Sequence, residues 1–166
     1  MGSNRPMELK TKIHAEEGKS DLTITRDFDL PAELVFKAHV DPELFEQWMS
    51  HEYGTVKVVK FEARKHGGWE FENSGPDGTV VFRANGTIHE FVPDRKITRT
   101  FEMDNSPFDV QLEFLEFEPL TEETSRLKMH IVYRSIELRD EMLKLPFAFG
   151  MSMAHDRLEE TLGKLR

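Results

Sequence analysis

The sequence contains no cysteine among its 166 residues, and this absence excludes several kinds of chemistry. Disulfide bonds, thiolate nucleophiles and cysteine-ligated metals all require that residue. The seven histidines form no HExxH motif and no other familiar ligand spacing, so the sequence predicts no metal site and no cofactor. Because a Gly-x-Ser-x-Gly elbow and a phosphate-binding glycine loop are also missing, we assign no catalytic residue.

Long apolar runs are absent too. No stretch approaches the roughly 20 apolar residues that span a bilayer, and the polar start of the chain lacks the apolar core of a secretory signal. The net charge of −9 repels phosphate backbones and anionic lipid surfaces. We therefore predict a cytoplasmic protein with no nucleic-acid partner and no integral membrane association.

What the sequence does contain is strong periodicity. Residues 1–20 are predicted to form an N-terminal extension with tag residues at its start, and residues 21–166 a single domain. Two short helices follow the first strand, one after Pro31 and one through Trp48, and a long helix over 136–166 closes the chain. Pro146 and Gly150 predict a kink or break in that helix. Alternating apolar and polar residues predict seven strands, at 21–30, 55–63, 68–73, 80–92, 96–103, 110–118 and 124–133.

The order of these elements predicts the fold class. Successive strands joined by short turns favour an antiparallel meander, and the final helix is long enough to cover its apolar face. The sequence therefore predicts an α+β fold, in which a curved, seven-stranded antiparallel sheet wraps around a long C-terminal helix.

Several stretches carry a family resemblance that covers residues 21–165. They are Pro31-Ala32-Glu33-Leu34-Val35-Phe36, Leu44-Phe45-Glu46-Gln47-Trp48, Gly67-Gly68-Trp69-Glu70-Phe71, Gly75-Pro76-Asp77-Gly78, and Arg139-Asp140-Glu141-Met142 through Gly150 to Asp156-Arg157-Leu158. The sequence resembles the activator of heat-shock-protein-90 ATPase homologue family within the START/Bet v 1-like superfamily. The resemblance implies a helix-grip fold, with a cavity between sheet and helix that holds hydrophobic small molecules in many relatives. The stretch after Trp48, where relatives often have a second Trp followed by Gly-Pro, departs from the pattern at the cavity mouth.

Apolar and aromatic side chains on one face of the sheet and on the final helix are the candidates for lining this cavity. Ordinary core packing is the alternative for each. The candidates are Trp48, Phe61, Trp69, Phe71, Phe82, Ile88, Arg99, Phe101, Phe114, Met129, Met142, Phe149 and Met153. Arg99 differs from the rest because its charge, if buried, needs a ligand carboxylate or an internal acid as partner. A bulge that turns Arg99 outward is the other interpretation.

Three functions remain open at this point. The first is non-enzymatic binding of an apolar or amphipathic small molecule, lipid-like or aromatic. The second is a polyketide cyclase-like or hydrolase-like enzyme, in which Arg99, His51 or a buried acid orients or protonates the substrate. The third, implied by the resemblance, is a stress-response protein with a chaperone partner. A homodimer is compatible with each of them.

Overall fold

The computed structural model describes residues 9–104 and 106–165, so residues 1–8 of the predicted extension and the predicted helix end at Arg166 lie outside the described residues. The strands are β1 (Lys12–His14), β2 (Asp21–Phe28), β3 (Thr55–Phe61), β4 (Gly68–Ser74), β5 (Val80–Val92), β6 (Lys96–Met103), β7 (Gln111–Pro119) and β8 (Ser125–Val132). The helices are α1 (Ala32–Val40), α2 (Pro42–Met49), α3 (Ile136–Lys144) and α4 (Phe147–Gly163).

The strands form one open antiparallel sheet in the order β1-β2-β8-β7-β6-β5-β4-β3. The predicted α+β fold, with an antiparallel sheet and a C-terminal helix, is confirmed. The sheet has eight strands instead of the predicted seven. The additional strand is β1, which pairs with β2 at the edge of the sheet and, at three residues, is too short to show an alternating pattern.

The predicted break in the C-terminal helix is confirmed. Lys144 ends α3, Leu145 is extended, and α4 begins directly after Pro146. Proline favours an extended conformation in the residue before it and has no N–H to continue a helix. Gly150 does not contribute to the break, because it lies inside α4 and its N–H donates to the carbonyl of Pro146.

The two short helices meet in an elbow at Asp41. The Asp41 side chain accepts a hydrogen bond from the Leu44 N–H at 3.2 Å and so caps the start of α2, with Pro42 in the first turn. The indole N–H of Trp48 donates to the carbonyl oxygen of Ala38 at 2.8 Å and fixes α2 against α1. This elbow lies over the sheet near β3 and β7.

One face of the sheet, here called the inner face, carries the buried core and is covered by the helices. β7 is apolar on both of its faces, with Leu112 and Phe114 on one and Leu115 and Phe117 on the other. The structure buries Leu115 and Phe117, which turns Phe114 to the outer face. The prediction that Phe114 lines the cavity is therefore wrong, and its ring instead stacks on His130, with centroids 5.6 Å apart.

Within the part of the chain that the structure describes, no helix is both long and apolar enough to cross a membrane.

Candidate functional site

A pocket opens between the α1–α2 elbow and the inner face of the sheet. It contains about 310 Å³ of space between atoms, counting the solvent at its mouth. Its walls are mostly apolar and aromatic, with a few polar groups among them. The lining includes His39 and Phe45 from the helices, and Val58, Phe61, Trp69, Phe71 and Arg99 from the sheet.

Aromatic rings form a continuous wall on one side of the pocket. Trp69 and Phe71 are stacked, with centroids 5.8 Å apart and ring planes 18° from parallel. Phe45 packs against Phe71 at 5.4 Å and against Trp48 at the same distance. Because each ring packs against the next, the rings of this wall hold one another in place.

Gly86 leaves room for the Trp69 ring of this wall. It lies opposite Trp69 in the β4–β5 pair. A Cβ at Gly86 would overlap the carbonyl oxygen of Thr100 and would lie 2.6 Å from Trp69 Nε1. The missing side chain therefore allows the indole to rest directly on the backbone of the neighbouring strand.

A buried ion pair stands beside the aromatic wall. Arg99 Nε donates to Glu113 Oε1 at 2.9 Å, and Gln111 Nε2 donates to Glu113 Oε2 at 2.8 Å. The guanidinium of Arg99 also lies 5.1 Å from the centroid of the Trp69 ring, within the range of a cation–π contact. Arg99 therefore faces inward, and an internal acid is its partner.

The sequence did not point to Glu113 and Gln111, because Leu112 and Phe114 favour the opposite face of β7 as the core face. The neighbouring strand β8 carries a signal that could have identified Glu113 and Gln111, however. The turn after Pro119 is short, so β8, with its clear alternation of Leu127, Met129 and Ile131, fixes the phase of β7. In that register Glu113 lies directly opposite Arg99 on the neighbouring strand.

Two buried donors lie on the inner face without a hydrogen-bond partner among the described residues. They are Trp69 Nε1 and the hydroxyl of Tyr133. Burial, followed by the negative charge of Glu113, raises the pKa of Tyr133 above its usual value, so this hydroxyl keeps its proton. Buried polar groups are nearly always hydrogen-bonded in folded proteins, which makes both donors unusual.

His39 contributes a neutral imidazole to the pocket wall. Its Nδ1 donates to the carbonyl oxygen of Val35 at 2.8 Å, which places the proton on Nδ1 and leaves Nε2 as an acceptor. Burial lowers the pKa of His39 from 6.5 to about 4, so the ring is uncharged at neutral pH. Nothing in the helical spacing of His39 distinguished it from a core residue.

The structure divides the predicted cavity residues into groups. Phe61, Trp69, Phe71 and Arg99 line the pocket. Trp48, Ile88 and Met129 are buried in the core, and Phe82, Phe101 and Met142 are half-buried against it. The ligand-binding role of all these residues remains a prediction.

The prediction that Phe149 and Met153 line the cavity is wrong. Both lie on the exposed side of α4, with 69% and 44% of their surface accessible. The buried stripe of α4 runs instead through Ala154, Leu158 and Leu162, because the helix restarts after Pro146 in a new rotational phase.

The histidines outside the pocket have local roles. His51 is exposed, and its Nδ1 accepts a hydrogen bond from the Tyr53 N–H in a turn closed by pairing with Gly54. His89 is exposed, and His130 lies on the outer face, where it pairs with Asp21 at 2.7 Å. Over residues 9–104 and 106–165, no three His, Asp or Glu side chains converge in a way that could hold a metal ion.

Comparison with known proteins adds a family and a set of similar folds. A family model described as activator of Hsp90 ATPase homolog 1-like protein matches residues 29–163. No curated protein matches the chain in sequence.

Several solved structures share the fold at low sequence identity. A protein of Rhodobacter sphaeroides is 22% identical, with a TM-score of 0.85 over 93% of this chain and 99% of that one. A protein of Arthrobacter aurescens is 18% identical, with a TM-score of 0.82 over 92% and 91% of the two chains. A protein of Mycobacterium smegmatis is 19% identical, with a TM-score of 0.80 over 91% and 95%. At these identities the likeness concerns the fold alone.

Proposed function

The chain belongs to the family of activator of Hsp90 ATPase homolog 1-like proteins, and from that premise we propose that it binds an apolar or amphipathic small molecule without transforming it. The binding site is the pocket under the α1–α2 elbow. The observation that carries this proposal is the aromatic wall of Phe45, Trp69 and Phe71 next to a few fixed polar groups. Small-molecule sites combine concave apolar walls with a small number of polar groups in this way.

The size of the pocket limits the ligand. The 310 Å³ of space between atoms includes open solvent at the mouth, so the enclosed part of the pocket is much smaller than a small-molecule ligand. A ligand of one or two aromatic rings would therefore have to displace half-buried side chains such as Phe61.

The polar groups of the pocket favour binding over catalysis. A general acid or base needs a pKa near the working pH, whereas burial holds the pKa of His39 at about 4. Arg99 and Glu113 are joined to each other, and His51 lies in its own exposed turn. The cyclase-like alternative therefore receives no support from these residues. A chaperone partner, a homodimer and a cytoplasmic location stay as predictions from the sequence.

Saturable binding of a fluorescent apolar probe tests the proposal. Val58→Phe places a ring in the pocket wall and should abolish probe binding. Val132→Phe makes the same change at a half-buried position on the outer face of β8, and it should leave the affinity unchanged. Native mass spectrometry of the purified protein should also show a bound apolar molecule that Val58→Phe loses.

If the wild-type protein takes up no probe, or if both valine variants bind it as the wild type does, the pocket is not a ligand site.

A further inference from the structure

Arg99 has hydrogen-bonding capacity that Glu113 does not use. A guanidinium carries N–H groups on three nitrogens, and Glu113 accepts only from Nε, at 2.9 Å. Among the described residues, the two terminal nitrogens of Arg99 have no hydrogen-bond partner. They still touch solvent, because the only fully buried side-chain atoms without a partner in the described part of the chain are Trp69 Nε1 and the Tyr133 hydroxyl. Their N–H groups are therefore available to a ligand.

The guanidinium that carries these nitrogens is held in place beside the pocket. Arg99 lines the pocket together with the rings of Phe61 and Phe71. Its Nε is bonded to Glu113, and its charge lies 5.1 Å from the centroid of the Trp69 ring. A side chain that is already held from two sides loses little conformational freedom when it binds a ligand.

The acids in the pocket lining do not occupy the terminal nitrogens. Asp41 caps the start of α2 with its carboxylate. Glu70 alternates with Trp69 along β4, so its side chain points to the outer face. Glu113 is the one acid paired with Arg99 among the described residues, through a single hydrogen bond. A second carboxylate can therefore approach Arg99 without displacing an existing partner.

A carboxylate matches the end of a guanidinium better than other acceptors do, because its two oxygens can accept from two parallel N–H groups at once. We propose that the ligand of this pocket is an apolar carboxylate, whose oxygens accept hydrogen bonds from Nη1 and Nη2 of Arg99 and whose apolar body packs against Phe61 and Phe71. This inference rests on the binding function proposed above and narrows its ligand class. Because the enclosed space is small, a single-ring acid requires the least displacement of side chains.

Three benzenes of nearly equal size test the ligand class. Acetophenone replaces one carboxylate oxygen of benzoate with a methyl group, and isopropylbenzene replaces both. Each compound is titrated into the wild-type protein loaded with the fluorescent apolar probe, and the concentration that displaces half of the probe gives its relative affinity. Benzoate should bind about tenfold more tightly than isopropylbenzene, as hydrogen bonds to a charged group provide, and more tightly than acetophenone.

Matched double variants assign this preference to Arg99. Arg99→Met/Glu113→Gln removes both charges of the buried pair, leaves neither charge alone, and should abolish the preference for benzoate. Arg134→Met/Asp109→Asn removes an exposed pair in the same way and should keep the preference. Arg99→Lys keeps a charge beside Glu113 but has no planar fork, so it should weaken the preference in a protein that retains the ion pair.

The outcomes distinguish this inference from the function on which it rests. If isopropylbenzene or acetophenone binds as tightly as benzoate, the ligand class is wrong while the binding function stands. If Arg99→Met/Glu113→Gln and Arg99→Lys both keep the full preference, Arg99 is not the donor. If none of the three compounds displaces a probe that itself binds, this inference fails alone. If the probe does not bind, the proposed function fails as well.

Discussion

Arg99 and Glu113 lie directly opposite each other in the β6–β7 pair, and their side chains meet at 2.9 Å on the buried side of the sheet. Little of either side chain is exposed, 13% of Arg99 and 5% of Glu113. A buried pair of this kind adds little net stability, because desolvation offsets the attraction between the charges. Breaking it is costly, however, because one charge is then left buried alone.

Glu113→Gln should accordingly lower the free energy of unfolding by about 3 kcal/mol, measured by urea denaturation. Asp109→Asn is the matched change in the exposed pair of Arg134 and Asp109, and it should cost less than about 1 kcal/mol. The double variant Arg99→Met/Glu113→Gln should recover most of the loss. Equal costs for the two single variants would contradict the buried role of the Arg99–Glu113 pair.

Tyr133→Phe should leave the free energy of unfolding unchanged or raise it, because the deleted hydroxyl is buried without a partner. Ser125→Ala also deletes one buried hydroxyl, but that hydroxyl donates to the carbonyl oxygen of Leu30 at 2.8 Å. We expect Ser125→Ala to cost about 1 to 2 kcal/mol. Thermal denaturation of both variants, side by side, checks the contrast; a larger loss for Tyr133→Phe would show that its hydroxyl is satisfied in solution.

Gly86→Ala should destabilise the protein by about 1 to 3 kcal/mol and weaken probe binding, since the new methyl group meets the Thr100 carbonyl and the Trp69 indole. Gly150→Ala is the control. Apart from the neighbouring backbone of α4, nothing lies within 4 Å of a Cβ at Gly150, so alanine there should raise the free energy of unfolding by up to about 1 kcal/mol. Melting temperatures that move in the same direction would contradict this.

Two buried histidines should make the protein sensitive to mild acid. Burial lowers the pKa of His39 to about 4 and that of His155 to about 3, whereas both titrate near 6.5 when unfolded. The unfolded chain therefore binds more protons below pH 6.5, and stability falls as the pH drops from there toward 4. At pH 5 each histidine should cost about 2 kcal/mol relative to neutral pH.

Urea denaturation between pH 7.5 and 5 measures this loss. His39→Gln should reduce the slope of the free energy of unfolding against pH by about half, even though the variant is less stable at neutral pH. His89→Gln, an exposed position, should leave the slope unchanged. A wild-type stability that is constant over this range would show that the two rings are not held neutral by burial.

The strands and helices could be predicted because their signals are local. Alternation along β4 and β8, the proline before α1 and the proline between α3 and α4 each determine the nearby backbone. The three-residue β1 could not be predicted in this way. It is a strand because it pairs with β2, and because the Thr11 hydroxyl next to it hydrogen-bonds to the buried His155 at 2.8 Å.

The site was harder to predict than the fold, because it depends on pairs of residues far apart in the sequence. Trp69, Phe71 and Arg99 could be selected by the phase of their own strands. Glu113 could be selected only after β7 was placed in register with β8, because β7 alone is apolar on both faces. His39 belongs to the pocket through the angle at which α1 meets α2, which no periodicity encodes.

The two edges of the sheet have a consequence for self-association. An unpaired edge strand is a template for another chain, and proteins protect such edges with short strands, bulges and lysines. Here β1 covers one edge with only three residues, and β3 presents Lys57 and Lys60 around a bulge at the other. Neither edge offers a long, regular ladder of backbone groups. The protein should therefore resist growth into extended sheets or fibrils, and any homodimer would have to form through another surface.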